Sequence, residues 1–245
     1  MADYYQLFFL SLLFLSTPVA VIAHFVYNVD RNYCSIANSY GFSIALISLY
    51  LYPFIVPLKD CTLSSRINKA TMNWIIWLTV FTEIIFQIPH NVFVKQLHDN
   101  RGTPIEWPFH SYGLSDSRWN NYHDGAGLAN EVWLINWNDG VLGLLVFAAL
   151  VMFYVQKKSA QSTTILALVT LFRDATLWRE TVEYMWDHHR QAYPHTTRDP
   201  VYRPHAILLL WLVNGVWLVA PITTALWAYS QIIAWVPSLP SKKIE

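Results

Sequence analysis

With 245 residues, 54% of them hydrophobic, 16% aromatic and only 13% charged, this chain is not an ordinary soluble domain, in which roughly a quarter of residues are charged. Net charge is zero and no basic block or RNA-binding signature is present, which argues against nucleic acid as a partner. Twelve tryptophans fit a bilayer protein with interfacial belts and an aromatic-lined interior. The expected fold class is an all-α integral membrane protein, a bundle of about six transmembrane helices.

Gln6–Tyr27 is apolar for long enough to span a bilayer. It lacks a basic leader and a small-residue cleavage site, so it reads as an uncleaved first helix, kinked at Pro18. A polar link, Asn28–Tyr40, leads to a second span, Gly41–Leu58, and then to a basic hairpin, Lys59–Thr71. Cys34 and Cys61 flank that second span, too far apart for a disulfide and without metal-ligand spacing.

Met72–Leu97 reads as the third span. Glu83, Gln87 and His90 recur on one face of it, at i, i+4 and i+7. Gln87 and His90 fit either a polar cavity or a solvated helix end. Glu83 lies deep in the span and is expected to line a cavity. His98–Gly127 is a long loop rich in aromatics, a length uncommon without a function, and is expected to cap one mouth of the bundle. Its histidines, His98, His110 and His123, lack ligand spacing, and no metal is assigned.

The fourth span, Leu128–Val155, opens GLANEVWLINWNDG. Glu131 and Asn138 share a face, with Asn130, Trp133, Trp137 and Gly140 on an adjacent one. Helix–helix hydrogen bonding accounts for the asparagines and leaves Glu131 and Asp139 unexplained. A basic turn, Gln156–Ser162, leads into the fifth span. Its second half carries Arg173, Thr176, Glu180, Glu183 and Asp187 at i, i+3, i+7, i+10 and i+14. A charge facing lipid costs at least about 2.5 kcal/mol, so this stripe is expected to face a protein interior or a wet cavity. Arg173 and Arg179 are expected to pair with Asp174 and Glu183.

The last span, His205–Val236, holds WLVNGVWLVAP, with Trp211, Asn214, Trp217 and Pro221 broadly on one face. The chain divides into two N-terminal helices and a basic hairpin (1–71), a four-helix core (72–236) and a polar tail (237–245). Lysines in the hairpins and tail point to cytosolic termini.

The residues Trp211, Asn214, Trp217, Leu218, Val219 and Pro221, with Glu180–His188, Ser117–Arg118 and Glu131, resemble the emopamil-binding-protein superfamily of the EXPERA domain. That family comprises sterol isomerases and sigma-2-receptor-like proteins, and the resemblance covers roughly Met72–Tyr229. It implies an EXPERA-like core for 72–236, an endoplasmic reticulum location and a sterol or amine pocket lined by Asn214 and Trp217, with Glu131 matching a family glutamate. The isomerases carry His-x-x-x-Glu in the third span, where this chain has Glu83-x-x-x-Gln87. That departure puts sterol isomerisation itself in question. The size and the acidic, Trp-rich spans also look similar to fungal membrane-bound meroterpenoid cyclases of the ascochlorin and ascofuranone type, which belong to secondary metabolism.

Both resemblances imply carbocation chemistry inside a bilayer, with no cofactor. Such chemistry needs a protonated carboxylic acid, a base, aromatic faces for the cation and exclusion of water. The candidate catalytic residues are Glu83, Glu131 and Glu180. The candidate substrate-binding residues are Gln87, His90, Asn130, Trp133, Trp137, Arg173, Trp178, Glu183, Trp211, Asn214 and Trp217. An epoxide opens under a carboxylic acid more readily than a bare alkene is protonated. The leading expectation is therefore a cyclase that opens the terminal epoxide of a prenylated aromatic. A sterol Δ8–Δ7 isomerase and a non-enzymatic binder of isoprenoids, sterols or amines are the alternatives.

Overall fold

The computed structural model describes residues 4–57, 62–100, 102–113, 128–190 and 203–235, and all regular structure among them is helical. The elements are α1 (Tyr4–Phe25), α2 (Arg31–Ile55), α3 (Leu63–Ile76), a π-helical stretch (Trp77–Gln87), α4 (Ile88–Val92), α5 (Val94–Asp99), α6 (Trp107–Gly113), α7 (Leu128–Val155), α8 (Ala160–Arg190) and α9 (Arg203–Trp235). Among the described residues, five stretches are long and apolar enough to cross a membrane: Tyr4–Phe25, Arg31–Ile55, Leu63–Val92, Trp137–Val155 and Leu208–Trp235. Helix α8 has the length, at 31 residues, but its charged second half sets it apart from those five. An all-helical chain with these runs has the make-up of an integral membrane protein, because a helix satisfies its own backbone in lipid.

Two boundaries differ from the sequence reading for a definable reason. Helix α2 begins at Arg31, within the stretch expected to be a polar link. The Asp30 carboxylate caps it, accepting from the backbone N–H groups of Asn32 (2.9 Å) and Tyr33 (3.3 Å). The serine hydroxyls of its polar first half are satisfied mainly within the helix, Ser43 donating to Ser39 O and Ser39 sharing its hydrogen between Ser35 O and Ser111 O. Helix α3 begins at Leu63, within the expected hairpin, capped by Thr62 Oγ1 on Ser65 N–H (3.2 Å). Lys59 and Cys61 lie outside the described residues. The third span ends at Val92, with Phe93 leaving helical geometry and Leu97 falling in α5.

Helix α1 packs on α2, α2 on α3, α6 and α9, α8 on α9, and α7 on α8 and the π-helical stretch. One buried core joins α1, α2, α3, α8 and α9 through residues such as Leu13, Leu46, Trp74, Leu177 and Trp217. The first two helices therefore share a core with the rest of the chain. A second core joins α3, α7, α8 and α9 around Ile75, Val146, Leu166 and Trp227. The turn between α7 and α8 is closed by Lys157 and Lys158 at φ 49° and 60°, with Lys158 N–H donating to Phe153 O (2.8 Å). Within the long loop, α6 folds back onto α2: Ser39 Oγ donates to Ser111 O (2.8 Å), and Arg31 meets Glu106 at 2.9 Å.

Candidate functional site: a buried ionic cluster behind a tryptophan wall

The centre of the molecule is ionic. Arg173 of α8 is fully buried at 0% exposure. Its Nε donates to Asp174 Oδ1 (2.8 Å), and its Nη1 donates to Thr79 Oγ1 (2.6 Å) and to Glu83 Oε2 (3.3 Å). Glu83, on the π-helical stretch, is 1% exposed. Asp174 Oδ2 accepts from Trp74 Nε1 (3.1 Å). One turn along, Gln87 Nε2 donates to the buried Asp139 of α7 (2.9 Å). The expected Arg173–Asp174 and Arg179–Glu183 pairs both form, each at 2.8 Å.

Three carboxyls and one guanidinium meet here, so the charge-neutral form of the cluster carries two protons. Glu83 Oε1 and Arg173 Nη2 are buried and have no hydrogen-bond partner among the described residues. Buried polar atoms are satisfied in the great majority of cases. A carboxyl oxygen and a guanidinium nitrogen left open in one cluster are chemical capacity beyond what the fold consumes.

A wall of three indoles bounds the cluster. Trp217 of α9 meets Trp74 edge-on at 5.0 Å and Trp77 at 6.1 Å, while Trp74 and Trp77 stack at 6.3 Å. Trp74 faces the ions through its N–H. Trp77 and Trp217 line a cavity of about 200 Å³ on the other side, together with Phe14, Phe42, Phe81 and Phe86.

The other candidates distribute as follows. His90 is buried at 2% exposure with its ring 5.1 Å from that of Phe109. Asn214 is buried and donates to Leu210 O of its own helix (3.0 Å). Glu180 is half-buried and accepts from Asn138 Nδ2 (3.3 Å); Trp137 is also half-buried. The expected charged stripe does not stay inside: the Glu183 side chain is 58% exposed. Ten residues at 100° each carry it about 80° around the helix from Arg173. Trp178 and Trp211, at 41% and 47% exposure, also turn outward. Trp211 stands about 120° from Trp217 by the same arithmetic. The side chains of Asn130, Glu131, Trp133 and Asp187, and all of Ser117–Arg118, lie outside the described residues.

Thr79, Trp74 and Trp77 were not singled out from the sequence, and Asp174 only as a partner for an arginine. A threonine and two tryptophans in an apolar run carry no distinguishing signal. The signal available was Trp74, Trp77 and Thr79 falling within about two and a half turns of Glu83 in the span.

No protein-family model, curated protein or solved structure matches the chain.

Proposed function

We propose that this chain is a membrane-embedded acid–base catalyst that generates and quenches a carbocation in an isoprenoid substrate, opening the terminal epoxide of a prenylated aromatic. The observation that carries the reading is the buried Arg173–Glu83–Asp174 cluster with an open carboxyl oxygen and an open guanidinium nitrogen. Intramembrane ionisable groups are functional candidates by default. The π-helical stretch that presents Glu83 adds support, since such distortions concentrate at functional sites.

A carboxyl from Glu83 or Glu180 gives its proton to the epoxide oxygen and the C–O bond breaks. The alkene of the prenyl chain closes onto the resulting cation. A carboxylate, with Glu131 the candidate, takes the final proton, and the product is an isomer of equal mass. Gln87, Asn130 and Asn214 position polar substituents. The tryptophans stabilise the cation, each by about 2 kcal/mol when desolvated. In this reading α8 is a sixth membrane-crossing helix, 72–236 is the EXPERA-like core, and the protein resides in the endoplasmic reticulum with cytosolic termini.

A second reading, sterol isomerisation, draws support from Asp139. It accepts from Gln87, so a buried carboxyl stands next to the residue that, in the resemblance, takes the place of the isomerases' glutamate.

The test is to give membranes expressing the chain a prenylated-aromatic epoxide and a Δ8-sterol side by side, with products identified by mass and NMR. Conversion of the epoxide to an equal-mass isomer supports the cyclase. Conversion of the sterol alone transfers the assignment to the isomerase. Binding of an isoprenoid, sterol or amine without turnover of either substrate by folded protein overturns both and leaves a binding protein.

A further inference from the structure

The two ends of the bundle treat their cations differently. At the end formed by the start of α2, by α6 and by the close of α8, arginines are paired with carboxylates: Arg31 with Glu106, and Arg179 with Glu183. The opposite end is formed by the close of α2, the start of α3 and the turn from α7 into α8. Its described charged residues are Arg66, Lys69, Lys157 and Lys158, with no Asp or Glu among them. The undescribed stretches that adjoin it, 1–3, 58–61 and 236–245, are balanced by sequence: Lys59, Lys242 and Lys243 against Asp3, Asp60 and Glu245.

Two of these cations are committed to the fold or to a ring. Arg66 Nη1 donates to Pro53 O and Val56 O at the close of α2, and Lys69 Nζ lies 5.4 Å from the centroid of Tyr52. Lys157 and Lys158 are exposed, with no carboxylate within ion-pair reach among the described residues. Lys158 Nζ is held back against the last turn of α7, 5.7 Å from the Phe153 centroid and 6.0 Å from that of Tyr154. Both lysines have positive φ, at a helix-closing turn where glycine is the usual residue. Next to them the surface turns apolar. No charged residue occurs from Gly140 to Gln156. Val141, Leu144, Ala148, Val151 and Val155 are exposed at i, i+3, i+7, i+10 and i+14, one stripe of α7 about 21 Å long.

We infer that the turn between α7 and α8 binds an anionic phospholipid, with Lys157 and Lys158 on the headgroup phosphate and the acyl chains along the exposed stripe of α7. Aromatic rings at the membrane boundary mark the depth of the headgroups, and Lys158 stands over two such rings. A zwitterionic headgroup brings its own ammonium toward two already present, so a net-negative lipid is favoured. A soluble acidic partner would meet the lysines and leave the apolar stripe unused. In the proposed topology this end faces the cytosolic leaflet, where anionic lipids concentrate. Nothing here depends on the chemistry proposed for the Glu83 cluster.

The test is native mass spectrometry of the full chain, delipidated in detergent and titrated in turn with phosphatidylserine and phosphatidylcholine of the same acyl chains. Phosphatidylserine is expected to be retained about tenfold more strongly, with the preference shrinking as ionic strength rises. Lys157→Gly with Lys158→Gly removes both charges and suits the positive φ; it is expected to keep its helical circular dichroism and to bind the two lipids equally. Should that pair fail to fold, Lys157→Gln with Lys158→Gln makes the same comparison. Lys157→Arg with Lys158→Arg is expected to keep the preference. Glycerophosphoserine, the headgroup without chains, and inorganic phosphate are expected not to displace the lipid at equal concentration. Equal retention of the two lipids by the parent chain overturns the inference. So does a preference that survives loss of both charges or disappears in the arginine pair, and so does displacement by glycerophosphoserine or phosphate.

Discussion

Gly143 of α7 makes the room that the Glu83 carboxyl occupies. A β-carbon at Gly143 would stand 2.5 Å from Glu83 Oε2 and 2.7 Å from Glu83 Cβ. Neither the backbone of α7 nor that of the π-helical stretch can give way cheaply. Gly143→Ala is expected to cost about 1–3 kcal/mol through overpacking and to push Glu83 off Arg173. A lowered thermal midpoint in detergent for Gly143→Ala, with Gly140 and the rest of α7 unchanged, checks this.

The ionic cluster is expected to be far more sensitive to losing one member than to losing several together. Arg173→Met strands Glu83 and Asp174 as buried carboxyls, and breaking a buried pair from one side costs about 3–5 kcal/mol. The triple variant Arg173→Met, Glu83→Gln, Asp174→Asn removes the imbalance and is expected to be more stable than Arg173→Met alone. A thermal-denaturation series across these variants gives the sign directly.

Trp74→Phe tests the link between the indole wall and the ions. The ring packing against Trp77 and Trp217 is largely kept, while Asp174 Oδ2 loses its donor. Hydrogen bonds to charged groups contribute about 1.5–3 kcal/mol, and the loss is expected in that range. Combination with Asp174→Asn in a double-mutant cycle should show the two effects to be non-additive.

If the proposed chemistry holds, at least one of Glu83→Gln, Glu131→Gln and Glu180→Gln lowers epoxide turnover about 10²-fold or more in folded protein. Glu183→Gln is the internal control. Its side chain is exposed and, among the described residues, paired with Arg179 one turn away, so neither turnover nor thermal midpoint should move. Retention of activity by all three glutamine variants would sink the assignment.

The long apolar runs were legible from residue type alone. The fourth span was read as Leu128–Val155 and the helix has those bounds, and the last was read within two residues of α9. The two arginine pairings were legible too, because adjacency and i, i+4 spacing leave little choice of partner. The start of α2 was not. Asn32, Ser35, Asn38 and Ser39 read as a polar link, yet Asp30 followed by a Ser35–Ser39–Ser43 ladder is a capped helix with a small polar face. That face is part of the cavity wall, so missing the boundary meant missing the cavity. The depth of the ionic stripe was also illegible, since spacing gives the angle around a helix but not which neighbour covers it. Arg173 is sealed and Glu183 is not, although the two stand only about 80° apart around the helix.

The wide winding from Trp77 to Gln87 makes the long membrane helix a composite of two phases. An α-helix turns 100° per residue, so a single-residue deletion in that stretch that restored ordinary winding would rotate everything beyond it by about that angle. His90 would leave Phe109, Gln87 would leave Asp139, and the loop docked on Phe86 would lose its seat. The chain therefore carries a built-in reading frame in three dimensions. Length, and not only residue identity, is fixed between the tryptophan wall and the end of the span, and single-residue indels there should be tolerated less well than substitutions at the same positions.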